Sequence, residues 1–418
     1  MKQSFFINNR QKYFDAVSDN SLTIINSGYV MRCSADENFD FEVDKNFYYL
    51  TGINQDEVVY VMKKKDGKMS EMLFIVENDP IKIKWVGAKL YQEEAIAISG
   101  VEEVHYFSEY KDIISKLIAE VDKVYLNLDK VNGYIFNPNY TFSRIIMKNY
   151  PDKEYLDNDK IIIKLRSVKE KEEVELIQES INITKLGVEK LMKESKPGLY
   201  EYQLESYFDY VIKNKGQRIH SFKTIAASGK NATILHYVDN NSVLKDGDLV
   251  LFDLGTETEF YISDISRTFP VNGKFSPRQK EVYEAVLDVN KKSIAFLKPG
   301  ITKKEYNDYA KGLLIEACKK LGLITKDEDI IKYYWHSVGH SIGLDTHDPC
   351  DYDEPFKEGM LVTCEPGLYI EEESIGIRIE DDILITKDGA INLSKDIIKE
   401  VDDIEKFMKK CPFKKIFR

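Results

Sequence analysis

The sequence predicts an α/β protein, α+β in the arrangement of its elements, with two domains, the second made of two similar αβ halves. Three observations predict it. The chain has 418 residues, more than one hydrophobic core ordinarily serves. Its pattern changes near residue 160, from short β-like runs to longer stretches of helical spacing. Beyond that point two pairs of segments recur with the same punctuation, as a duplicated unit would leave them.

In the first part, the runs LTIINSG, VVYVMKK, EMLFIVE and KVYLNL are rich in β-branched and aromatic residues and predict strands. Residues 108 to 121 predict a helix, and together these elements make an α/β domain over residues 1–160. Next, Ser167 and Glu170 read as a Ser-x-x-Glu capping box for a helix reaching about Ser195. Val174, Ile177, Ile181, Leu186 and Leu191 are spaced for its buried face. The second domain therefore takes residues 161–418.

Within it, KPGLYEYQL begins at Lys196 and KPGITKKEY at Lys298, each closing one helical stretch and opening another. DGDLVLFDLG (246–255) aligns with EGMLVTCEPG (358–367), Gly247 opposite Gly359 and Asp253 opposite Glu365. Each segment leads on to a further acid, Asp264 in one half and Glu380 in the other. Two such halves facing one another bring four carboxylates to a pseudo-twofold axis.

Composition narrows the partners. With 59 Lys and Arg against 71 Asp and Glu, the net charge of −12 repels phosphate backbones, so nucleic acid is excluded and divalent cations are favoured. Cys33, Cys318, Cys350, Cys364 and Cys411 form no CxxC pair and predict free thiols in a reducing compartment. The apolar run near the N-terminus is too short for a signal peptide, no stretch reaches membrane-spanning length, and the basic end KKCPFKKIFR reads as a solvated terminus. The expectation is a cytoplasmic protein without membrane contact.

Asp253 and Glu365 stand inside apolar runs, where a lone buried carboxylate would protonate or destabilise the fold. A cation resolves the conflict. Four acids carry too much charge for one divalent ion, whereas two ions close together, sharing carboxylates and a hydroxide, balance them and form a hydrolytic centre. SVGHSIGLDTHD (337–348) would supply one imidazole nitrogen, from His340 or His347, completing an oxygen-rich set suited to manganese, cobalt, zinc or iron. His236, upstream in ATILHYVDN, reads by itself equally as a structural or a catalytic residue. ASGKNAT lacks the glycine spacing of a phosphate loop, and no Gly-x-Ser-x-Gly elbow occurs, so neither a nucleotide site nor a serine hydrolase is supported.

Five separated motifs then carry a resemblance: HY at 236, DLG through DISRTFPVNGKF (253–275), HSVGHSIGLDTHD (336–348), EPGLYI (365–370) and GIRIEDDILIT (376–386). In this order they resemble the metal-dependent Xaa-Pro aminopeptidases and prolidases of the pita-bread metallopeptidase family. RCSADENFDFEVDKNFYYLTGINQDEVVYVM resembles the extra N-terminal domain of aminopeptidase P. The resemblance implies a pita-bread catalytic domain and two divalent metal ions, manganese preferred. Asp264, His340, Glu365 and Glu380 would hold one ion, and Asp253, Asp264 and Glu380 the other. It further implies that His347 polarises the scissile carbonyl, that His236 contacts substrate near the proline, and that His336 lies near the carbonyl or the P1′ end. Glu365 would also shuttle the proton, Arg378 would hold carboxylates behind the ligands, and Tyr369 would line the centre. Trp85 would reach a neighbouring subunit's substrate pocket in a homodimer or homotetramer. His105 and His220 match no motif.

The implied substrate is a peptide with proline in second place. An Xaa-Pro bond has no N–H and a fixed ring, which a shaped pocket with imidazole contacts can recognise. The nearest alternative is a prolidase restricted to Xaa-Pro dipeptides, which needs contacts to a C-terminal carboxylate. Methionine aminopeptidase is disfavoured by the full extra domain. From another class, a metal-free binding module of the same fold would show no metal-dependent hydrolysis.

Overall fold

Ser21–Asn26 (SLTIIN) is rich in β-branched residues, and every residue of that strand, β1, is buried. It sits inside a six-stranded sheet, covered on both faces, which is why its apolar residues do not alternate. The computed structural model describes residues 1–128 and 138–409, and the basic end from residue 410, with Cys411, lies outside the described residues. The chain divides into two units, Met1–Arg166 and Ser167–Arg418.

The first unit adds β2 (Val59–Lys65), β3 (Lys68–Ile75), β4 (Glu103–Tyr106), β5 (Lys123–Leu126) and β6 (Glu154–Asp157), in the order β4-β3-β2-β1-β5-β6. β1 runs antiparallel to β2 and parallel to β5, so the sheet is mixed. Its helices are α1 (Gln3–Ala16), α2 (Lys45–Thr51), α3 (Pro80–Val86), α4 (Gln92–Ser99), α5 (Phe107–Ala119), α6 (Pro138–Asn149) and α7 (Asp159–Ser167). Ile114 and Ile118 of α5 pack with Val61, Phe74 and Val124 of the sheet into one core. Residue 160 falls inside α7 rather than between domains. Asn46 binds both ends of that helix, donating to Asp159 Oδ1 at 2.8 Å and accepting from Arg166 Nη1 at 2.7 Å, and so holds it to the first unit.

The second unit opens with α8 (Lys171–Glu194). Its cap is not the predicted Ser167 with Glu170. Ser167 ends α7, and the box forms three residues later, where the Glu170 N–H donates to Glu173 Oε2 at 2.7 Å. Leu186 is exposed, and the buried face runs through Gly187 and Val188 instead. A Cβ on Gly187 would meet the Phe208 ring at 2.2 Å, so the helix crosses its neighbour α9 (Glu201–Asn214) there at backbone distance.

After α9 come β7 (Ile225–Ser228), β8 (Leu249–Leu254), β9 (Glu257–Thr258), β10 (Tyr261–Ile262) and β11 (Ile265–Pro270). The second half follows with α10 (Pro277–Phe296), α11 (Lys303–Lys320), β12 (Leu361–Cys364), β13 (Gly367–Ile370), β14 (Ile375–Arg378), β15 (Asp381–Thr386), β16 (Gly389–Asn392) and α12 (Val401–Lys409). Ser276 caps α10 ahead of Pro277, and Thr302 caps α11, each with a capping box.

The internal repeat is conformational as well as sequential. Gly198 and Gly300 have φ of 91° and 90°, and Gly247 and Gly359 have φ of 85° and 86°. The Gly198 N–H donates to the Leu244 carbonyl and the Gly300 N–H to the Phe356 carbonyl, the same reach to the segment that leads into β8 in one half and β12 in the other. β8 lies between β7 and β11. β12 has β15 on one side, and on the other the Ser341 bridge to Val362, so SVGHSIGLDTHD runs where the first half places a strand. Among the described residues no helix is long and apolar enough to cross a membrane.

Candidate metal centre and substrate cavity

Each acid of the site is delivered by a strand or a strand end. Asp253 lies in β8 and Glu365 directly follows β12, the positions that the repeat makes equivalent. Asp264 immediately precedes β11 and Glu380 immediately precedes β15. Alternation along a strand then directs Ser266 to the face of Asp264, and Asp382 to the face of Glu380. The contacts agree: Ser266 Oγ donates to Glu380 Oε2 at 2.7 Å, and the Asp264 N–H donates to Asp382 Oδ2 at 3.2 Å. Asp381, on the opposite face, pairs with the buried Arg267 at 2.7 Å and with Lys399. Arg267 also donates to the Glu380 carbonyl, fixing the backbone behind that acid.

His340 enters from the strand-like loop. Its Nδ1 is 3.0 Å from the Ser341 carbonyl oxygen, which can only accept, so Nδ1 carries the proton and the Nε2 lone pair faces the acids. Nε2 is 3.4 Å from Asp264 Oδ2 and 3.6 Å from Glu365 Oε1. Asp264, His340 and Glu380 each present a donor atom, all within 4.8 Å of one another.

This cluster is electrostatically incomplete. Burial, then repulsion from Asp253, Asp382 and Glu365, pushes the Asp264 carboxyl well above the usual range. Burial, then Asp264, Glu365 and Asp253, does the same to Glu380, and burial also raises Glu365. Arg378 is the guanidinium among them, donating to Ser266 Oγ at 2.8 Å, Tyr369 Oη at 3.1 Å and Asp253 Oδ2 at 2.7 Å. Asp253 Oδ1 is buried with no hydrogen-bond partner among the described residues. A carboxylate oxygen without a donor is costly, and divalent cations held by oxygen with one imidazole nitrogen satisfy it. The donor set fits such ions.

The acids and histidines line one cavity of about 540 Å³, with Phe222, Ile225, Leu235 and Val238 supplying apolar wall. His347 lines it beside His340, their rings stacked. His236 is exposed at its wall. His336 is differently used. Its Nδ1 lies 2.7 Å from the Ser337 carbonyl, and its Nε2 lies 2.9 Å from Tyr369 Oη, so both nitrogens are engaged by protein. The structure leaves His336 no N–H for a substrate, and makes it a brace for Tyr369.

Comparison with known proteins decides the family. The model of metallopeptidase family M24 matches residues 175–387, and that of the aminopeptidase P N-terminal domain matches residues 6–125. The chain belongs to metallopeptidase family M24. It is a metallo-aminopeptidase of the Xaa-Pro aminopeptidase group, with a pita-bread catalytic domain after the N-terminal domain. It is 33% identical to the Xaa-Pro aminopeptidase of Haemophilus influenzae, over 96% of both chains. A Bacillus anthracis structure provisionally described as an aminopeptidase P superposes with a TM-score of 0.96 at 44% identity, over 98% of this chain and 99% of that one. Zinc-substituted Escherichia coli aminopeptidase P in complex with product superposes with a TM-score of 0.91 at 29% identity, over 99% of each chain.

In this M24 chain the structure brings together Asp253, Asp264, His340, Glu365 and Glu380, with His236, His336, His347 and Arg378 on the same cavity and Tyr369 bonded behind it. Trp85 is on α3 of the first unit and 85% exposed, so it is not a core residue of that unit. His220 is occupied by Asp209 at 2.9 Å, and His105 by Glu103 at 2.8 Å, as residues without motif support would be. Sequence reasoning missed Ser266, Arg267, Asp382 and Lys303. The first and third were legible as i+2 neighbours of predicted ligands. Lys303 had no such signal, because it reaches the cavity from a helix start distant in sequence.

Proposed function

We propose that this M24 metallo-aminopeptidase removes an N-terminal residue that precedes proline, using two divalent ions with manganese preferred. The observation that carries the reading is the convergence of Asp264, His340 and Glu380 within 4.8 Å, beside the partnerless Asp253 Oδ1. Asp264, His340, Glu365 and Glu380 would hold one ion, and Asp253, Asp264 and Glu380 the other. When bound, such ions supply Lewis acidity toward the scissile carbonyl and a water of lowered pKa.

The chain's own groups do the rest. Glu365 takes a proton from the attacking water and gives it to the departing proline nitrogen. His347, kept neutral by burial, donates N–H to the carbonyl oxygen as negative charge develops there. Arg378 holds Asp253 through Nη2 and Tyr369 through Nη1, while His336 takes the Tyr369 hydroxyl, so the brace keeps the acids in register. His236 and the apolar wall face the proline ring. Trp85, exposed on the first unit, is available to a second copy of the chain in a homodimer or homotetramer. The free thiols of Cys33, Cys318, Cys350 and Cys364 suit a cytoplasmic location.

The test is hydrolysis of an Xaa-Pro dipeptide and an Xaa-Pro-Yaa tripeptide, with manganese and after chelation. Metal-dependent cleavage of the tripeptide after Xaa supports the reading. Cleavage of the dipeptide alone makes the enzyme a prolidase, and cleavage of neither refutes both.

A further inference from the structure

Lys303 is the first residue of α11, directly after the Thr302 cap. Local rules disfavour a lysine there, since the positive end of a helix repels a cation. The side chain is also half-buried, which lowers its pKa, and no carboxylate forms an ion pair with it among the described residues. Its ammonium lies over the Tyr352 ring, 3.6 Å from the centroid. An aromatic face fixes a cation in place without neutralising it. Tyr352 is itself tied to the loop of the histidines, its hydroxyl accepting the Ser341 N–H at 2.7 Å.

This held charge lines the same cavity as His347 and Glu365, and both feel its field. Charge counting makes it surplus to the metal centre. Arg378 is already the cation paired with an acid of the site, Asp253, so Lys303 is a second positive charge with no carboxylate of its own among the described residues. Lys223 also lines the cavity, but it is exposed, where solvent screens it. A half-buried cation that breaks local rules beside a reaction site is the kind of departure that function explains.

We infer that Lys303 seats the C-terminal carboxylate of a short peptide substrate, an inference that rests on the proposed peptidase reading. The scissile carbonyl lies at the acids, and the carboxylate follows one or two residues on, about 3.3–3.6 Å of extended chain for each. The enzyme then favours short peptides with a free C-terminus over longer or amidated ones.

The experiment compares wild type, Lys303→Met and Lys303→Arg on an Xaa-Pro dipeptide, an Xaa-Pro-Yaa tripeptide and the C-terminal amide of each. In Lys303→Met the KM for the free acid rises roughly tenfold or more relative to that for the amide, the scale of a lost charged hydrogen bond, while any change made through the field on His347 and Glu365 is shared by acid and amide. Lys303→Arg restores most of the difference, and the peptide length that responds shows where the carboxylate sits. Equal KM changes for acid and amide, or none for either, overturn the inference while leaving the peptidase reading intact. If wild type with manganese cuts none of these peptides, the peptidase reading fails and this inference with it. The same split must appear in inhibition by a Pro-Yaa dipeptide and its amide, a readout that a packing defect would not produce.

Discussion

The imidazole of His347 lies stacked on that of His340, ring centroids 4.0 Å apart and planes 25° from parallel. Burial first, then His340 and His236, lowers the His347 pKa from 6.5 to about 4. A metal ion on His340 would add positive charge and push in the same direction. His347 therefore stays neutral through the physiological range and keeps an N–H to donate. The expected effect of His347→Ala is a kcat lower by roughly a hundredfold or more, the cost of one oxyanion donor, with metal content retained. Steady-state kinetics with metal analysis checks this, and an unchanged kcat would remove His347 from the mechanism.

Asp264 and Glu380 are the acids assigned to both ions. Asp264→Ala and Glu380→Ala are each expected to abolish paired metal occupancy and activity together. Elemental analysis of the purified variants measures the first and peptide hydrolysis the second. Full activity in either would show that the ligand assignment is wrong.

Ser266 makes a sharper test because it touches no metal in that assignment. Its hydroxyl accepts from Arg378 Nε and donates to Glu380 Oε2, so it holds the Glu380 carboxylate from behind. Ser266→Ala should weaken metal binding roughly 10- to 100-fold, as loss of an outer partner of a ligand does. A manganese titration followed by activity reads it, and affinity equal to wild type would mean that Glu380 needs no support.

Lys169, just ahead of α8, and Asp348, which ends the loop of His340 and His347, form an ion pair at 3.0 Å with both side chains 1% exposed. Removing one partner strands a buried charge. Lys169→Met is expected to cost about 3–5 kcal/mol in urea unfolding. A loss under 1 kcal/mol, the scale of an exposed pair, would show that water reaches the site.

His336 gives a pH dependence whose sign can be worked out. Burial first, then Arg378, lowers its pKa from 6.5 to about 3. Between those values the unfolded chain binds more protons than the folded one, so stability increases with pH. The contribution is fully present above about pH 6.5 and is lost as pH falls toward 3. Unfolding of wild type and His336→Asn at pH 7 and pH 5 is the check: the loss on acidification should be smaller in the variant. Equal losses would show that His336 protonates freely in the folded chain.

How much was legible in the sequence varied with the range of the forces involved. The repeat was legible because Gly198 and Gly300, and Gly247 and Gly359, occupy matching left-handed turns that glycine adopts without strain. The strands were legible from composition. The helix α8 was read with the wrong cap, because Ser-x-x-Glu and Glu-x-x-Glu stand three residues apart and only the packing of α7 chooses between them. Leu186 was assigned inward by spacing alone, whereas close contact of Gly187 with Phe208 rotates the buried face past it.

The sequence by itself determined the family, a chain of two domains, and which acids and imidazoles gather on one cavity, since residue type and order along the chain carry that pattern. Tertiary structure alone decided which nitrogen His340 offers and that His336 offers none, because a tautomer depends on what the ring nitrogens meet: Ser341 for His340, Ser337 and Tyr369 for His336. It also decided that Ser266 links Arg378 to Glu380, and that Lys303 joins the cavity from the start of α11. Those contacts are made across the fold between residues far apart in the chain, where local pattern carries no information about distance.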